Sequence, residues 1–209
     1  MDKVKYFLEK SWLLMACSLM FGLLLSGLNA GLAERITTNQ QERLKTKVVD
    51  LFDDANSIEA LTPEPIVLQT DQGAGIKTMV YCVKDANRKA CGLAFTATGS
   101  GFADKITLVI ATDAAFKRYL GYDVLACNET PTLGDCIKKG KKKDKYRRQY
   151  LGIPVGPLTL TKTGDFTVMD NEIVAITGAT VSSKAVVTIF NTYWEPIRSK
   201  AEQEGWISK

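Results

Sequence analysis

The sequence predicts an α+β domain with an antiparallel sheet, carried on an N-terminal membrane helix, and three observations predict it. Residues 12–33 contain no Asp, Glu, Lys or Arg. Short alternating runs of β type fill the middle of the chain, and the last of them gives way to apolar residues at three- and four-residue spacing. Strands followed by a terminal helix make an α+β arrangement in which the helix covers an antiparallel sheet. The 209 residues, 45% apolar and 24% charged, suit one folded domain plus an appendage. Histidine is absent. That excludes a histidine general base, a Ser-His-Asp or Cys-His nucleophile pair, a histidine-ligated haem and every histidine-containing zinc site. Five cysteines without a CxxC spacing argue against a zinc ribbon or a ferredoxin cluster. Chemistry here must come from a bound cofactor or from carboxylates and hydroxyls.

Residues 1–11 read as a short cytoplasmic N-terminus and residues 12–33 as a transmembrane helix. Sixteen of those 22 residues are apolar, and at about 1.5 Å per residue the helix spans the roughly 30 Å hydrocarbon core. A cleaved signal peptide is the competing reading, since Lys3, Lys5 and Lys10 form a basic n-region before it. Twenty-two residues exceed the usual h-region of about 7–15 residues, which favours a retained anchor. Ser18, Gly22, Ser26 and Ala30 recur every fourth residue, and Gly27 and Gly31 add a second pair. Small residues at this spacing let helices approach closely in lipid, so the face suits docking to other membrane subunits. Residues 34–62 read as a stalk helix and linker, in which Leu44, Val48, Leu51 and Phe52 fall at helical spacing before Thr62-Pro63-Glu64-Pro65 ends it.

Residues 63–209 form the main domain. Strands are expected at 77–83, 90–96, 106–111, 122–126, 158–162, 166–169 and 173–176, with Gly99-Ser100-Gly101 marking a turn or bulge. Ala185, Val186, Ile189, Phe190, Trp194 and Ile197 set out the terminal helix. A two-residue turn at Ala86-Asn87 would bring Cys82 opposite Cys91 at disulfide distance. Cys127 and Cys136 would close a second loop; reduced core cysteines are the alternative. Both bonds would imply an oxidising compartment. Lys138 to Arg148 carries eight basic residues and one acid, so this stretch holds +7 while the rest of the chain sums to −3. With one aromatic and no recognisable nucleic-acid module it reads as a solvated loop, or as contact with anionic lipid or an acidic partner, and not as a nucleic-acid site.

Thr177-Gly178-Ala179-Thr180-Val181-Ser182-Ser183 joins the last strand to the terminal helix. A glycine turn there delivers the chain into a helix N-terminus rich in hydroxyls, a good seat for a phosphate and equally an ordinary helix cap. The segment resembles the [S/T]GAT motif of the FMN-binding domain found in the RnfG and NqrC subunits of ion-translocating membrane oxidoreductases. Glu129-Thr130-Pro131-Thr132-Leu133-Gly134 is similar to the ETPGLG loop of that family, and the order of anchor, stalk, sheet, loop, motif and helix matches throughout. The length is closer to RnfG than to the longer NqrC. Val174 stands where the family usually has Asp, and Thr132 where Gly is usual.

The resemblance implies a flavoprotein in which Thr180 carries FMN through a phosphoester bond, installed from FAD by a flavin transferase. Glu129, Thr130, Leu133 and Gly134 would lie near the flavin, with no catalytic side chain and no metal. It further implies a single-pass inner-membrane subunit with an extracytoplasmic domain, relaying electrons within an Rnf-type ferredoxin:NAD oxidoreductase that pumps ions. Such a subunit would have no complete activity alone. An NqrC-like subunit of a quinone-linked sodium pump and a flavin-free exported assembly or binding module are the alternatives.

Overall fold

Helix α1 (Asp2–Val49) runs through the apolar segment without a break. The structure, a computed structural model, describes residues 2–52, 55–70, 73, 75–130, 134–137 and 141–207. Among them, one helix is long and apolar enough to cross a membrane, judged by length and composition, over Lys10–Val49. The chain divides into two units, Met1–Arg43 and Leu44–Lys209. In the first, the large apolar side chains from Trp12 to Leu32 are exposed. A Cβ placed on Gly22, Gly27 or Gly31 would meet nothing within 4 Å.

The second unit contains β1 (Ser57–Ala60), β2 (Ile66–Gln69), β3 (Gly75–Thr78), β4 (Val80–Lys84), β5 (Ala90–Ser100), β6 (Lys105–Asp113) and β7 (Tyr119–Cys127). A 3-10 turn at Gly134–Ile137, α2 (Lys141–Arg148), β8 (Thr159–Thr161), β9 (Glu172–Val174) and α3 (Thr180–Gln203) follow. The main sheet has five antiparallel strands in the order β1-β4-β5-β6-β7. β2 and β3 form a separate antiparallel pair, and β8 and β9 a short parallel one.

Both faces of the sheet are covered, which explains why β6 reads as the near-continuous apolar run ITLVIA. Ile106, Leu108 and Ile110 join the cluster that holds Val186, Ile189 and Phe190 of α3. Val109 and Ala111 join the opposite cluster with Val48 and Phe52, from the end of α1 and the residues after it. Helix α3 comes close to β5 because position 99 is glycine: a Cβ there would sit 2.5 Å from Ile189 Cγ1. Phe190 is fully buried, with its ring 5.0 Å from that of Tyr119, 5.6 Å from Tyr122 and 4.7 Å from Tyr150. Burying such a ring contributes about 1.5–3 kcal/mol before the aromatic geometry is counted.

Three sequence expectations change here. The β4–β5 loop has three residues, not two: the Asp85 amide donates to the Lys89 carbonyl, and Arg88 takes φ 62°. The Asp85 carboxylate selects this turn by accepting the Asn87 and Lys89 amides. A bulge between Val83 and Lys84 adds a second shift, so Cys82 lies opposite Leu93. Cys82 packs in the α3-side cluster with a free thiol, whereas Cys91 packs against the other face. Cys127 is buried at the end of β7, and the Cys136 side chain lies outside the described residues. Residues 166–167 form a turn and 168–169 are irregular, not a strand, because Asp165 turns the chain by accepting the Thr167 amide at 2.9 Å. The basic run is helical from Lys141 onward.

That helix is oriented by one acid. Asp123, on the edge strand β7, lies 3.2 Å from Lys47, 3.7 Å from Lys143 and 3.5 Å from Arg147, and accepts the Val124 amide at 2.6 Å. Burial pushes its carboxyl up, but Arg147, the Val124 amide, Lys47 and Lys143 together outweigh it and hold the group below the ordinary aspartate value. A depressed native pKa means a contribution that is complete above the unfolded value of about 3.9 and is lost as pH falls through the native one. Asp123→Asn leaves Lys47, Lys143 and Arg147 without their anion and, these pairs being partly screened by solvent, should lower stability by about 1 kcal/mol at neutral pH. Chemical denaturation at a series of pH values should also show the variant with a flatter acid limb below about pH 4 than the parent.

Candidate functional site

The segment from β9 to α3 is built as a tight turn. Ala175 donates its amide to Thr161 across the β8–β9 pair, and Ala179 donates back to the Ile176 carbonyl, closing a turn over Thr177 and Gly178. Gly178 has φ 85°, a conformation that costs a side-chain-bearing residue energy and costs glycine little. Thr177 and Gly178 are exposed, Ala179 is buried, and α3 begins at Thr180. The position before the helix, Ala179, has no side chain to cap it, and the first turn contains no acidic residue. The first-turn amides thus lack a side-chain cap at Ala179 and retain their affinity for an anion. The Thr180 side chain is half-buried and Val181 is 54% exposed, so the helix presents its start to solvent.

The two serines of the motif face inward. Ser183 Oγ accepts the Ile176 amide at 3.1 Å, locking the turn from inside. Ser182 Oγ donates to Glu129 Oε2 at 2.9 Å. The other oxygen of Glu129 accepts the Phe102 amide at 2.8 Å and the Ala103 amide at 3.3 Å. One buried carboxylate therefore ties α3 to the end of β7 and to the β5–β6 loop. Its space exists because two neighbours are glycines. A Cβ on Gly101 would fall 2.1 Å from Oε1, and one on Gly134 would fall 2.5 Å from Oε2.

A second brace reaches the motif from α2. Tyr150 donates to Tyr146 at 2.8 Å, and Tyr146 donates to the Ser183 carbonyl at 2.9 Å. Burial pushes both phenols well above their ordinary value, which keeps them protonated as donors. The Gln149 carboxamide pairs with both backbone groups of Val174, accepting its amide at 2.7 Å and donating to its carbonyl at 3.2 Å.

The structure thus brings Thr177, Gly178, Ala179, Thr180, Val181, Ser182 and Ser183 together with Glu129 and Gly134, and places half-buried Thr130 next in chain to Glu129. Leu133 and Thr132 lie outside the described residues. Cys82 and Cys91 belong to the sheet faces. Sequence reading missed Phe102, Tyr146 and Gln149. The i, i+4 spacing of Tyr146 and Tyr150 was the available signal for the second.

Residues 101–195, which span this site from the β5–β6 loop into α3, match the model of the FMN-binding domain family. Over those residues the chain is similar to an FMN-binding domain. Its fold is shared with NqrC of Shewanella oneidensis, 19% identical over 69% of this chain and 70% of that one, with a TM-score of 0.55. A component of the Na(+)-translocating NADH-quinone reductase of Parabacteroides distasonis is 16% identical over 68% of this chain and 76% of that one, with a TM-score of 0.48. No curated protein matches. The site fits the cofactor on two counts. The α3 N-terminus is uncapped by any side chain, and the Thr180 hydroxyl makes no hydrogen bond among the described residues.

Truncating the carboxylate leaves the Phe102 amide and Ser182 without their acceptor. Glu129→Ala should lower stability by about 2–3 kcal/mol. Glu129→Gln should cost less, because its amide nitrogen can face Ser182, whose hydroxyl reverses to accept. Urea unfolding of the two variants side by side checks the order.

Proposed function

We propose that Thr180 of this FMN-binding domain carries FMN through a phosphoester bond and that the chain is an electron-transfer subunit. The observation that supports this most directly is the Thr180 hydroxyl, half-buried at a helix start with no side-chain cap and without a hydrogen bond among the described residues. In the attachment step the threonine oxygen bonds to the FMN phosphorus of FAD, AMP departs with the electron pair of the broken bond, and the hydroxyl proton is released. A flavin transferase performs it. The diester keeps one negative charge, which the first-turn amides of α3 stabilise.

FMN supplies the redox chemistry, and the protein supplies tethering and orientation. Ser183 and the Gly178 turn fix where the Thr180 side chain starts. Glu129 and Tyr146 hold the helix start against the sheet and α2. Without histidine, the chain has no side chain poised to shuttle protons near neutral pH, which suits a carrier of electrons.

The apolar helix anchors the domain as a single-pass inner-membrane protein with its main body extracytoplasmic. The open face of Ser18, Gly22, Ser26 and Ala30 meets neighbouring membrane subunits. The complex it serves would be of Rnf type, coupling ferredoxin:NAD electron transfer to ion pumping, and within it this subunit would have no complete activity alone.

Co-expression with a flavin transferase, followed by denaturing electrophoresis, tests the attachment. Fluorescence should migrate with the polypeptide and disappear in Thr180→Ala, while Thr180→Ser should retain it. A colourless parent band, or labelling unchanged in Thr180→Ala, would overturn the assignment.

A further inference from the structure

We propose that the cleft between α2 and the turn at residues 164–167 docks an acidic loop of a partner protein. The described basic side chains of α2 fall into two sets. Lys143 and Arg147 are committed to Asp123. Lys142, Lys145 and Arg148 are exposed, recur every third residue along one helix face, and have no ion pair among the described residues. Two of these three line an opening of about 440 Å³, together with Gly164, Asp165, Phe166 and Thr167. The Asp165 carboxylate in that lining accepts the Thr167 amide and keeps its charge, so with Lys145 and Arg148 the cleft holds a net charge of +1. Asp144, also exposed, is the one acid in the helix, so the face keeps a positive excess.

The chemistry of the cleft selects among anionic partners. A lipid surface is held by helices that insert an apolar face, and the one apolar residue of α2, Tyr146, is buried and bonded to Ser183. Single-stranded nucleic acid needs open aromatic rings for its bases, and Phe166 is half-buried. Carboxylates fit better. The planar fork of Arg148 takes a carboxylate on two donors, and Lys145 beside it supplies a point charge. An opening of this volume admits the tip of a loop with two or three acidic side chains. Because Tyr146 joins α2 to the first turn of α3, the docked loop would sit on the element that braces the attachment motif. The inference rests on charge and shape and stands whether or not Thr180 is flavinylated.

The test uses the detergent-solubilised full chain and a fluorescein-labelled oligoglutamate peptide, read by anisotropy. The peptide should bind at low ionic strength, and its affinity should fall by about tenfold or more at physiological salt. Lys145→Glu with Arg148→Glu should abolish binding, and the milder Lys145→Gln with Arg148→Gln should weaken it at an unchanged melting temperature. Lys89→Glu, at the tip of the β4–β5 hairpin, should leave it intact. Absence of binding, equal loss in Lys89→Glu, or tighter binding to phosphatidylserine vesicles or single-stranded DNA than to the peptide would each overturn the proposal.

Discussion

A single buried carboxylate determines how the motif is presented. Glu129 lies at 6% exposure where three chain segments meet, and its oxygens accept from Ser182, Phe102 and Ala103. Such a group is tolerated in an interior only when its lone pairs are met by donors. Those three donors thereby fix the end of β7, the β5–β6 loop and the first turn of α3 relative to one another. The glycines at 101 and 134 are consequences of this choice, since a methyl group at either would occupy the carboxylate's place. The family resemblance implies that this acid neighbours the cofactor. Its observed partners give it a bracing role toward α3.

A second organising acid works at the opposite end of the charge scale. Asp123 gathers cations from α1 and α2 on the sheet edge and so decides which face of the basic helix turns inward. The net charge of +4 is misleading as a global figure. Most of the excess lies in one short stretch, part of which is neutralised internally and part left facing solvent. Tyr146 adds a directional constraint, because its hydroxyl must reach the Ser183 carbonyl from the buried side of that same helix.

The antiparallel sheet, the terminal helix and the position of the motif were legible in the sequence because each rests on a periodic apolar pattern. Short apolar runs of β type set out β5 and β6, and the change to three- and four-residue spacing marked α3. The Cys82 register was not legible, since it depends on the Asp85 carboxylate choosing a three-residue turn and on a bulge that no pattern announces. Residues 166–169 alternate like a strand, yet Asp165 bends the backbone before a partner can pair with it. The helical state of the basic run was hidden because like charges mask the single buried tyrosine that docks it. Of the site, the hydroxyl-rich turn could be read directly. The long-range partners of Glu129, Tyr146 and Gln149 could not, because they join residues between 25 and 53 positions apart.

The Gln149 side chain has an effect beyond holding Val174 in place. By meeting both an amide and a carbonyl of β9, its carboxamide imitates one peptide unit of an additional strand. The β8–β9 pair is short and parallel, and an open margin beside it would invite a strand from another molecule. The carboxamide fills the position at which such a strand would begin to pair. One side chain thus makes this margin a poor template for aggregation, and it does so immediately before the exposed turn at Thr177 and Gly178.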